Sequence, residues 1–189
     1  MSIELSGCLL FWILAILVVL AQMAEIIWPY ANSLHFICAL AVAVVFIAGT
    51  WILLPVLNRK FGGNFKMWPF KIQMVLAAVY IPISVLPVPV SGWLHVYMAS
   101  VGALSLINGV LSLVIGVFVL ERLKLIDSGQ LWLWRLFAVF NISSGFLAAS
   151  IIFAIEAVVV SVLLYGVTGM ILSREASVGK LLPAPQIIH

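Results

Sequence analysis

Residues 34–60 read LHFICALAVAVVFIAGTWILLPVLNRK. From Leu34 to Leu57 no Asp, Glu, Lys or Arg interrupts the run, and it closes on Asn58, Arg59 and Lys60. A helix over such a run is about 36 Å long at 1.5 Å per residue, more than the ~30 Å hydrocarbon core of a bilayer. Its rings and branched chains leave no polar stripe for water. The run is therefore predicted to be a membrane span.

The rest of the chain repeats this pattern. Of 189 residues, 66% are hydrophobic and 8% charged, where a soluble domain carries roughly a quarter charged. Too few charges exist to coat a water-soluble globule, so the apolar surface must face lipid. The spans lack the strict alternation of barrel strands, and a helix satisfies its own backbone hydrogen bonds, as lipid demands. The expected fold is an all-α polytopic bundle: a single transmembrane domain, residues 1–189, of about six helices in three hairpins.

The helices are expected at residues 7–28, 34–57, 72–86 and 93–120, with a fifth opening near Leu131 and a sixth ending near Leu172. The links are PYAN at 29–32, FGGNFKMWPFK at 61–71, PVPVSG at 87–92 and ERLKLIDSGQ at 121–130. Residues 131–172 have no Gly/Pro loop at their centre. A tight turn near Ile152 to Glu156 would divide them, because Glu156 carries the only charge there. One long tilted helix is the competing reading, and it would send Arg174 and Lys180 to the opposite face. The start, MSIELSG, has no cationic n-region, so the first apolar stretch reads as a retained span.

With six helices, all nine cations fall on one side: Arg59, Lys60, Lys66 and Lys71; Arg122, Lys124 and Arg135; Arg174 and Lys180. The positive-inside rule makes that side cytoplasmic, with both termini, in a cell membrane. Trp28 and Trp93 would mark the outer interface, and Trp68, Trp132 and Trp134 the inner one. The net charge of +3 lies in short loops beside lipid headgroups and does not point to nucleic acid. Cys8 and Cys38 open successive antiparallel spans, which puts them at opposite faces, beyond the ~7 Å Cα separation a disulfide allows.

Three groups of residues are candidates for function. Gly102, Ser105, Gly109, Ser112 and Gly116 form a stripe of small residues on the fourth helix, a surface for close helix packing. It would serve either packing within the chain, against helix two or six, or docking of another subunit or copy. Glu25, His35, His95 and Glu156 gather toward the non-cationic face. They read as interfacial polar groups, as ligands of a transition metal, or, for His35 and His95, as axial ligands of haem b. Ser84, Asn108 and Asn141 lead a set of mid-span polar residues that also holds Gln22, Thr50, Gln73, Ser143, Ser144 and Thr168. Such groups bridge helices or line a solute path, and Pro82 is the best candidate for a broken helix.

No catalytic arrangement appears. Gly62-Gly63-Asn64 lacks the Lys-Ser/Thr of a phosphate loop, and no CxxC or Ser-His-Asp set is plausible. The Gly62–Asn64 run and Leu182-Pro183 look similar to parts of six-span acetate-uptake transporters. That family's Asn-Pro-Ala-Pro run before the first span is absent, so no site is carried over. The leading expectation is a non-catalytic subunit, a scaffold or accessory component of a larger membrane complex, with lipid, other membrane subunits or its own copies as partners. A small-solute channel or transporter and an electron-transfer subunit are the alternatives.

Overall fold

The computed structural model describes residues 3–27, 32–62, 66–84, 94–126, 129–149 and 154–181, without the side chains of residues 25, 32, 84, 94–98, 154–155 and 178–181. Among the described residues the chain is all helical. It has six α-helices: α1 (Ile3–Ile27), α2 (Asn32–Phe61), α3 (Trp68–Ser84), α4 (Leu94–Arg122), α5 (Leu131–Ala149) and α6 (Ala154–Leu181). A 3-10 turn, Leu123–Leu125, extends α4. Five helices are long and apolar enough to cross a membrane; α3 is the shorter one. The exterior carries Leu9, Ile16, Trp51 and Phe146, each more than half exposed, a surface that water would not tolerate over such an area.

The helix ends follow backbone chemistry more than hydropathy. The second helix runs past Leu57 through Arg59 and Lys60, because cations in a last turn complement the carbonyl end of the dipole. It stops at Gly62, whose φ of 80° is the left-handed geometry a glycine adopts without cost after a helix. The last helix continues beyond Leu172 to Leu181. Residues 131–181 form two helices, not one. Residues 150–153 lie outside the described residues, and Glu156 stands in the first turn of α6, where an acid favours the amide end. Helix α3 is unbroken through Pro82, which sits near its end, so proline removes a donor there without interrupting the span's middle.

Each helix packs on the next in sequence, and α6 packs on α1. The six therefore form a closed ring. Contacts across the seams run in opposite chain directions. Gly7 lies against Ile52 and Leu172, and Gly49 against Phe11. Gly109 meets Gly145 and Ala149, while Gly116 meets Ala138 and Ile142.

The cationic ends are joined. Arg59 Nη2 lies 2.8 Å from Glu4 Oε1, and Lys60 Nζ lies 3.1 Å from Glu175 Oε1, which ties α1, α2 and α6. Lys66 stands over the Phe118 ring. Arg174 stands over Trp132 and donates to the Gly129 carbonyl. The hydrophobic core lies in the same half of the ring. Leu57, Phe61, Val119, Leu133, Trp134 and Leu172 are nearly or fully inaccessible. Trp134 meets Phe61 and Phe137 edge-on, with centroids 5.0 and 5.8 Å away, the arrangement that opposes ring quadrupoles favourably.

Candidate functional site

The other half of the ring is not filled. A cavity of about 460 Å³ is lined by all six helices. Its lining follows helical periodicity: His35, Cys38, Ala39, Val42, Ala43 and Phe46 on α2; Gln73, Leu76, Ala77 and Tyr80 on α3; Val101, Leu104, Ser105, Asn108 and Ser112 on α4. Steps of three and four residues keep one face of each helix inward. The chemistry is divided between the walls. The first two helices contribute mostly aliphatic surface, with Gln22 and His35 as exceptions. The third, fourth and fifth contribute Gln73, Ser105, Asn108, Ser112, Asn141 and Ser144.

These polar groups form a ledge at half depth. Ser112 stands ten residues before Arg122, and Asn141 ten residues after Leu131, each about 15 Å from the cationic helix ends. Gln73 Nε2 donates to Asn108 Oδ1 at 3.2 Å and to Ser112 Oγ at 3.0 Å. Asn141 Nδ2 donates to its own helix at Phe137 O, 2.9 Å away. The Ser144 and Ser161 hydroxyls lie 3.2 Å apart, and Ser161 also donates to Ala157 O. Ser105 donates across the seam to Ala148 O. Among the described residues this leaves Gln73 Oε1, Asn108 Nδ2 and Asn141 Oδ1 without protein partners. A carboxamide can serve both as donor and as acceptor, so the ledge offers both kinds of hydrogen bond beside an apolar wall.

Toward the cations the cavity ends on aromatic rings. Tyr165 lies 6.3 Å from Phe11 and 6.5 Å from Phe46 between centroids. Beyond them is the close-packed core. At the opposite end stands His35, whose Nε2 is shielded from solvent and forms no hydrogen bond among the described residues. Eleven residues of α2 separate His35 from Phe46, so the cavity is about 16 Å long.

The candidate residues divide as follows. Asn108 and Asn141 line the cavity together; the Ser84 side chain lies outside the described residues. Of the small stripe, Gly109 and Gly116 lie against α5, while Ser105 and Ser112 line the cavity and bond to α5 and α3. Gly102 is half-buried. The stripe thus meets α5 and α3 rather than α2 or α6. Glu156 is exposed, and the side chains of Glu25 and His95 lie outside the described residues. Of the four, His35 faces the cavity. No group of three or more potential metal ligands occurs among the described residues. Cys8 and Cys38 are free thiols.

The sequence reading missed Tyr80, Ser161 and Tyr165. Tyr80 follows Gln73 by seven residues and Tyr165 follows Ser161 by four, which puts each pair on one helix face; that periodicity was the available signal. Thr50 and Thr168 are buried, but Thr168 bonds back to Leu164 O, a local partner that a polar residue in a span commonly takes. Comparison with protein-family models, curated proteins and solved structures finds no match.

Proposed function

We propose that this chain is an integral membrane protein that binds a small uncharged solute inside its helix ring and carries it across the bilayer. The observation that supports this most is the ledge of Gln73, Asn108, Ser112 and Asn141 beside a cavity at half the depth of the bundle. Polar groups there are costly unless paired, yet three carboxamide atoms of the lining have no protein partner among the described residues. Among the described residues lining the cavity there is no Asp, Glu, Lys or Arg, which favours a neutral solute. The volume is that of a small-molecule site. The packed, ion-paired cationic half serves as the closed gate of one access state. In this reading the six helices form three hairpins, with both termini in the cytoplasm of a cell membrane and the cavity facing the opposite side.

The accessory-subunit reading rests on the lack of catalytic groups and soluble domains in the sequence and on a small-residue stripe that offers a docking face. Gly109 and Gly116 are engaged by α5, and the support from the stripe is withdrawn. The haem reading required His35 and His95 as a pair; only His35 has a described side chain.

The test is solute flux in liposomes that contain the purified chain, followed by stopped-flow light scattering with glycerol, urea and butanediol. At least one should enter faster than in empty liposomes. Asn141→Leu, which fills the ledge with an apolar side chain, should abolish that gain while the protein remains monodisperse. Entry rates equal to those of empty liposomes for all three solutes, or full flux through Asn141→Leu, would overturn the proposal.

A further inference from the structure

The cavity carries unsatisfied hydrogen-bonding groups at its ledge and at His35, and the α2 wall between them is apolar. At the ledge, Asn141 Oδ1 and Asn108 Nδ2 lack protein partners among the described residues. At the far end His35 Nε2 is shielded and unpartnered among the described residues. Between them α2 presents Ala39, Val42 and Ala43. A buried polar atom left without a partner costs on the order of 1–3 kcal/mol; His35 Nε2 is such an atom, while Asn108 at the ledge is exposed and open to a ligand. A volume of about 460 Å³ reaching along roughly 16 Å of helix has room for an extended chain that meets both groups.

We infer that the ligand is an uncharged, elongated amphiphile with a hydrogen-bonding group at each end, one read by the carboxamide ledge and the other by His35. This deepens the solute-binding reading and rests on it. A ligand with one polar end leaves His35 unsatisfied. A charged end would enter a cavity without a counter-charge among its described lining residues, at a large desolvation cost.

Binding to the full chain in nanodiscs, measured by equilibrium dialysis, tests this with decanediol, decanol and decanoate. Decanediol should bind about tenfold more tightly than decanol, the worth of one buried hydrogen bond, and decanoate should bind more weakly than either. His35→Ala should bring decanediol down to the affinity of decanol and leave decanol unchanged. His35→Gln, which keeps a donor and an acceptor there, should restore most of the difference. Asn141→Leu should weaken both alcohols. Equal affinity for decanediol and decanol in the wild type, equal loss of both in His35→Ala, or tight binding of decanoate would each overturn the inference. Binding needs no flux. Selective decanediol binding without transport would fail the transport reading alone, whereas flux of a small solute without selective decanediol binding would fail this inference alone.

Discussion

A methyl group added at Gly145 should push α4 and α5 apart. Its Cβ would stand 2.6 Å from the Gly109 carbonyl oxygen, 2.7 Å from Leu113 Cγ and 2.9 Å from the Leu113 nitrogen. Comfortable carbon contacts begin near 3.5 Å, and two of these three atoms are backbone, which no rotamer change can move. The seam must open by roughly 1 Å, and overpacking of this kind costs about 1–3 kcal/mol. The helix preference for Ala over Gly returns up to ~1 kcal/mol, so Gly145→Ala should lose up to about 2 kcal/mol. Gly166→Ala is the control, because its Cβ would rest 3.6 Å from Trp12, an ordinary contact. Gly109→Ala meets the same seam from the other side at 2.7 Å. Once one methyl has opened the seam, the second meets less resistance, so the double variant should cost less than the two singles together. Unfolding in mixed micelles titrated with SDS, read by circular dichroism, measures all four. Gly145→Ala as stable as Gly166→Ala would refute the close approach of these helices. The seam also borders the ledge, so Gly145→Ala should lower the affinity for any cavity ligand.

Further outcomes follow from the cationic half. Lys60 and Glu175 are largely shielded, whereas Arg59 is well exposed beside Glu4. Glu175→Gln should therefore cost about 1–2 kcal/mol and Glu4→Gln below ~1 kcal/mol, with only the smaller effect fading in high salt; the SDS titration at two ionic strengths checks this. Trp134 is fully buried between Phe61 and Phe137, with its indole N–H unpaired among the described residues. Trp134→Ala should cost about 3–5 kcal/mol. Trp134→Phe should cost much less, because it also removes an unsatisfied donor, and the same titration separates the two.

How much of this was legible in the sequence depends on what each residue type reports. The apolar runs announced the helices, since nothing else satisfies a backbone in lipid. The ends were less legible. Hydropathy falls at Leu57 and Leu172, but hydrogen bonding carries α2 through Lys60 to Phe61 and α6 to Leu181. Asn108 and Asn141 stood out as polar residues in apolar runs. Ser161 and Tyr165 did not, because a serine bonded to its own helix and a buried tyrosine look alike wherever they face. The small stripe was visible, but its partner was not. Gly109 is equally suited to α2, α5, α6 or another copy, and only the ring order of the helices puts it against Gly145.

The sequence by itself determined the medium and the succession of helices. Both follow from local sums, the transfer energy of about twenty apolar residues and the backbone's need for internal hydrogen bonds in lipid. The tertiary structure decided where the emptiness lies. Closure of α6 on α1, dense aromatic packing beside the ion pairs, and inward carboxamides from α3, α4 and α5 leave a cavity in one half of the ring. A void is a property of side chains from six helices meeting at once, and no single helix encodes it.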